Sequence, residues 1–311
     1  MGLMEGISKR YARNALSAMN PELVVGLRGL RSKTIFVDSN AALGGNGASW
    51  DSAVQSLATA IGLAVADDLI LVAPLHVETI VAAAGVVLNK AGVTVIGLGN
   101  GNRRPQINFT TVVGADLDIT GAGTTMINFR FTGGFDALTG PVNLAAADIT
   151  LIDIVTEDVT GQATDFIVTT AACDRLRISG WEHRGAAAAG ADTALSMVGG
   201  DDAVVEDFNI YGNFAVAGIE NVTTAQNRLR IGGGTRPSSI WTENAADIAI
   251  TLVATTTGLI MGPIDIMLQD NAANITEALV GVAVSFFQPL RLVNLAGESS
   301  MESNITASTD A

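Results

Sequence analysis

The chain has 311 residues, 48% of them hydrophobic but only 5% aromatic, with 34 glycines and a formal net charge of −14. That length can bury a substantial core, and glycines spread along it argue for many turns rather than long helices. A single cysteine, Cys173, excludes an intrachain disulfide, and two distant histidines leave no ligand set for zinc.

Residues 1–33 read as a basic helical arm. Ile7, Tyr11, Leu16 and Met19 fall near one stripe of a helix that Asn20-Pro21 interrupts. Lys9, Arg10, Arg13, Arg28, Arg31 and Lys33 stand there against only Glu5 and Glu22, whereas the remainder carries 11 basic and 29 acidic residues. So acidic a body would be repelled by nucleic acid, and the arm suits an acidic partner surface. No continuous apolar run follows the first cations, so no signal peptide is expected. The most apolar stretch, residues 67–88, is broken by Pro74, His76, Glu78 and Thr79 and cannot supply a clean membrane span.

Residues 34–90 form a capping segment. "TIFVDSN" alternates as a strand, a Gly/Asn loop follows, and Val54, Leu57, Ile61 and Val65 recur at helical spacing with Asp51 or Ser52 as N-cap. "LILVAP" then reads as a buried strand, and Trp50 as core beneath this lid. From 91 to about 256 the chain repeats. Strand-like runs begin at residues 92, 123, 148, 174, 202, 227 and 247, several followed by a second short strand and a turn such as Ala-Ala-Asp or Gly-Asp-Asp. Degenerate repeats of 20 to 31 residues without intervening helices predict a solenoid whose strands stack in parallel sheets. Ile149, Leu151, Ile154, Leu176 and Ile178 would point inward. The fold class is all-β, a right-handed parallel β-helix with a helical arm and a short helical cap. Residues 257–311, with Phe286-Phe287, depart from the repeat and read as a C-terminal cap or oligomerisation segment.

The stretch "GVTVIGLGNGNRRPQINF", residues 92–109, imitates a dinucleotide-binding loop. The required third glycine and helix are absent: Asn102 is followed by Arg103-Arg104-Pro105 and another strand. It reads as a corner between strands, and no cofactor is expected.

The stretches "IFVDSNAALGGNGASWDSAVQSLATAI", "DLILVAPLHVETI" and "AGVTVIGLGNGNRRPQINF" resemble the opening of pectin-lyase-like right-handed β-helix proteins that are structural components of tailed bacteriophages. The resemblance spans residues 34 to about 256 and implies the β-helix fold. It also implies a virion protein of the capsid cement or decoration type and a homotrimer.

A lyase would need acids for calcium and a basic side chain; Asp153, Glu157, Asp158, Asp201, Asp202 and Glu206 are candidate acids, and Arg175, Arg177, Arg228 and Arg230 candidate bases. Alternation in "RLRI" already explains the arginines as outward residues paired with neighbouring acids. Asp201-Asp202 lacks the companions of a polygalacturonase site and reads as a turn. His183, between Glu182 and Arg184, reads as a surface-loop histidine and His76 as a packed one. Trp50, Trp181 and Trp241 lie too far apart in sequence to suggest a sugar platform.

No catalytic, cofactor-binding or metal-binding residues are therefore assigned, and the chain is read as a non-enzyme. The expected function is capsid decoration: the acidic β-helix stands on the capsid surface of the virion, and the arm grips the major capsid protein through its six cations. The alternative is a tail fibre or tailspike that binds or cleaves host polysaccharide. A free carbohydrate lyase ranks third.

Overall fold

Aliphatic side chains at every second position of short strands must face one way, and in this chain they face each other. The structure, a computed structural model, describes residues 33–158, 163–186, 190–221, 224–243, 248–253, 256–261, 264–268, 284–287 and 290–294. Within them the strands stack into three parallel sheets of ten, nine and seven strands, here A, B and C. One turn visits A, then B, then C; a representative turn is Thr150–Ile152, Val155–Asp158 and Asp165–Thr169. The molecule is an all-β parallel solenoid of about seven three-strand turns, matching the right-handed parallel β-helix. From Leu69 to Met261, register partners on sheet A lie 25 to 31 residues apart.

Sheets A and C each carry an unbroken apolar ladder. On sheet A, Ile35, Ile70, Val95, Met126, Leu151, Ile178, Val205 and Ile231 stack in register, each 0% exposed. Sheet C contributes Val86, Leu117, Val142, Ile167, Leu195, Ile219 and Ile250. As expected, Ile149, Leu151, Ile154, Leu176 and Ile178 are buried.

Two kinds of corner hold the turns in step. In four turns only two residues intervene between A and B: Asn128-Phe129, Asp153-Ile154, Gly180-Trp181 and Asp207-Phe208. The first of each pair has φ between 50° and 72°. That region suits Gly, Asn and Asp, whose short or absent side chains relieve the clash. The second points inward and is buried. Between C and A, Gly92, Gly123, Asp148, Arg175, Asp202 and Arg228 all have φ from 55° to 70°. The backbone N–H of each of the first five donates to a carbonyl one turn on, from Gly92 N–H to Ala122 O (2.8 Å) through Asp202 N–H to Asn227 O (2.9 Å). Corner donors thus gain partners that a lone turn lacks.

The glycine-rich stretch is a long A–B corner. Gly97 lies on sheet A, Gly101–Arg103 make a 3-10 turn, and Gln106–Phe109 lie on sheet B. Asn128 Nδ2 donates to Gly97 O and Gly99 O, both at 2.7 Å, and a side chain on Gly97 would strike Asn128 O. The extra length of this corner produces the 31-residue interval.

Three expectations change. Each turn has three strands rather than two, because a two-residue corner hides the A–B boundary inside one strand-like run such as "DITLIDIVTE". The run at 247 lies on sheet C, as Ile248–Thr251, and Gly258–Met261 takes the sheet A place. Rungs also extend beyond 91–256. The first full turn starts at Leu69, and Phe286 and Phe287 pair in register with Ile260 and Met261.

The short helical cap, α1, spans Leu57–Leu63. Ser56 caps it by accepting from Thr59 N–H, in place of Asp51 or Ser52, and Glu78 Oε2 accepts from Leu57 N–H at 2.7 Å. Val54 precedes the helix as a bridge to Val37, and Val65 lies beyond it, 57% exposed. Trp50 does not enter the core. It packs outside sheet A, 4.7 Å from the Phe36 ring and against a cluster of Ile96, Leu98 and Ile127.

Ile178→Ala should lower stability by about 3 kcal/mol and Ile178→Val by about 1 kcal/mol, read as shifts of the urea midpoint. A loss below 1 kcal/mol for the alanine variant would show that the ladders are not close-packed.

Candidate functional site

The strand arginines spend their charge on neighbouring rungs. Arg175 donates to both Asp148 oxygens at 2.6 and 2.7 Å, and Arg228 likewise to Asp202 at 2.5 and 2.7 Å. Arg177 reaches Glu206 at 2.5 Å across the outer face of sheet A. These hydrogen bonds hold the Asp148 and Asp202 carboxyls below the usual range. Arg230 occupies the same row as Arg177 with Val204 between them, and its Nε is buried without a partner.

The candidate acids are scattered over the solenoid. Asp153, at an A–B corner, lies 3.7 Å from Arg236; Glu157, on sheet B, pairs with Arg130; Asp201, at a C–A corner, lies 3.8 Å from Arg228. No cleft gathers them. Asp158 differs: it is 5% exposed, its Oδ2 has no partner, and burial lifts its carboxyl to about 7 despite backbone N–H donors from Ala163 and Ala191.

His183 is not a surface-loop residue. It is 1% exposed in the inward row of sheet B, where Phe166, Trp181 and Phe214 surround its ring. The Thr156 hydroxyl accepts the Trp181 indole N–H at 2.8 Å and bonds His183 Nδ1 at 2.9 Å. Burial depresses the His183 pKa to about 3, so the ring is neutral. In sequence, alternation from Glu182 through Arg184 signals an inward 183 once a turn at Gly180 is recognised. His76, read as packed, is 0% exposed, accepting from Ser39 N–H and lying 3.3 Å from Glu78.

Sheet C carries acids that sequence inspection missed. Asp165 and Glu220 have raised pKa values, through burial first and then through charged neighbours including Asp192. Thr193 and Ser196 hydroxyls donate to them. Among the described residues no group of three or more His, Cys, Asp and Glu is arranged to hold a metal ion.

The outer face of sheet B offers a groove of about 280 Å³, lined among others by Arg184, Asn209, Tyr211, Ser239 and Trp241. Tyr211 and Trp241 are register partners with rings 6.2 Å apart in an edge-to-face arrangement. The scattered-tryptophan reading overlooked this pair because one member is a tyrosine 30 positions earlier. Only the rung repeat brings the two together. The Tyr211 hydroxyl donates to Glu243, which pushes the phenol up to about 12. Asn209 Oδ1 accepts from Ser239 Oγ at 2.9 Å.

Of the basic arm, Lys33 is described: its Nζ donates to Leu63 O at 3.2 Å, at the end of α1. Lys9, Arg10, Arg13, Arg28 and Arg31 lie outside the described residues. No described helix is long and apolar enough to cross a membrane.

No family model matches the chain, and no curated protein matches it. A solved structure of a rhamnogalacturonan lyase aligns with a TM-score of 0.48 at 12% identity, over 78% of this chain and 69% of its own. The likeness transfers no residue.

Asp158 and His183 give opposite pH dependences. A carboxyl raised to about 7 makes stability fall as pH rises from about 4 to about 7; a histidine lowered to about 3 makes it fall as pH drops from about 6.5 towards 3. Asp158→Asn should therefore gain on the wild type by about 2–4 kcal/mol between pH 4 and pH 8, measured by urea unfolding. A pH-independent difference would place Asp158 in solvent.

Proposed function

We propose that the chain is a structural protein of a bacteriophage virion, non-enzymatic, that decorates the capsid surface and stabilises the head. The observation that carries this reading is the division of charge. Six cations precede Thr34, while the solenoid that follows holds a large excess of acid. Several rung arginines are engaged within the body, as Arg175 is by Asp148 and Arg228 by Asp202. Lys9, Arg10, Arg13, Arg28, Arg31 and Lys33 are the cations offered to the major capsid protein, and the acidic rod projects away from it. Homotrimer formation belongs to the same proposal. A rod whose strands pair directly, turn upon turn, with paired charges outside suits a mechanical role.

A tail-fibre role is the second reading, favoured by the Tyr211–Trp241 groove on sheet B. Such a protein would have to hold a ligand on its flank, and the groove is a place to do so.

Purified protein should co-sediment with capsids that lack it. Changing Lys9, Arg10, Arg13, Arg28 and Arg31 together to Gln should weaken binding by at least about tenfold, and raised salt should weaken wild-type binding. The β-rich circular dichroism should not change. Full binding by the substituted protein, at any salt, would refute the arm as the grip. Light scattering that gives a monomer mass would refute the trimer.

A further inference from the structure

We propose that the sheet B groove is a binding site for an uncharged hexopyranose glycan, whether the chain stands on a head or a tail. Three observations converge there. The first is the aromatic pair. Parallel stacking in register places Tyr211 and Trp241 on adjacent rungs of the outer face, where most of a solenoid is polar. A half-buried indole with a phenol set edge-on offers a flat apolar surface with polar tips, which suits the C–H face of a pyranose ring.

The second is the polar frame. Asn209 and Ser239 occupy the neighbouring outward row and are also register partners. The Asn209 amide and the Ser239 hydroxyl together present donors and acceptors beside the rings, as ligand hydroxyls require. The Tyr211 hydroxyl is held by Glu243, which fixes the phenol ring before a ligand arrives. Fixed rings and short side chains keep the entropy cost of binding small.

The third is the charge balance, which selects among sugars. Glu182 and Glu243 stand beside one cation, Arg184, whose Nε already donates to Glu182 at 2.7 Å and whose Nη1 lies 3.8 Å from Glu157. Among the described lining residues Arg184 is the one guanidinium, it already serves Glu182, and the body is strongly acidic. A uronate polymer or a nucleic acid would meet repulsion; a neutral glycan would not. The groove runs across rungs, so successive sugar units would follow the solenoid axis.

The test titrates the full chain with maltohexaose, chitohexaose and polygalacturonate, using calorimetry and tryptophan emission. Binding of a neutral hexasaccharide with an emission change is expected, while polygalacturonate leaves the signal flat. Trp241→Ala should weaken that binding at least about tenfold, and Asn209→Ala by a smaller factor. Trp50→Phe, far from the groove, should bind as the wild type does. Since Trp241 and Asn209 lie outside the core, unchanged circular dichroism and urea midpoints confirm that the variants fold. The proposal falls if neither neutral sugar binds at millimolar concentration, if Trp241→Ala binds as the wild type does, or if polygalacturonate is preferred. Capsid binding is scored separately, so failure of either reading leaves the other standing.

Discussion

Every feature of this protein depends on keeping one turn in step with the next. A register slip of one residue would send the aliphatic ladder of sheet A into water and its outward arginines into the core. The ladder alone resists this only while the turns have matching phase. The corners supply the phase. A left-handed residue at six successive C–A corners reverses the chain at a fixed point, and its N–H is satisfied by the following turn. Hydrophobic stacking gives the stability and the corners give the alignment.

The same division explains what could be read from sequence. The ladders were legible because aliphatic alternation recurs at a nearly constant interval, so Leu151 and Ile178 could be placed inside before any coordinates. The three-strand cross-section was not legible. A corner of two residues leaves no loop-like composition behind, and "DRLRISGWEH" reads as one strand although Gly180-Trp181 turns it onto another sheet. His183 was misplaced for the same cause: once the turn at Gly180 is missed, the parity of the residues beyond it is lost. Contacts between rungs, such as Tyr211 with Trp241, join residues about 30 positions apart and become visible only when the register is known.

Several polar groups in the interior tie one turn to another. Thr156 links Trp181 to His183, and the Asn221 amide donates to Met197 O and Thr224 O while its oxygen accepts from Thr256. Such bonds sit where bulky aromatic or irregular corner segments interrupt the aliphatic stack. Outside, one row of sheet A is apolar from Leu71 to Ile152, and the face carries charge from Arg177 onwards. The solenoid is one core with an exterior that changes character along its axis.

The corner column Asp148, Arg175, Asp202, Arg228 alternates in sign, with each arginine clasping the acid before it. This alternation has a period of two turns. Excising a single turn between Arg175 and Arg228 would set two guanidiniums face to face, whereas excising or duplicating a pair restores acid against base. Shortening or lengthening of this rod, by evolution or by engineering, should therefore proceed in even steps.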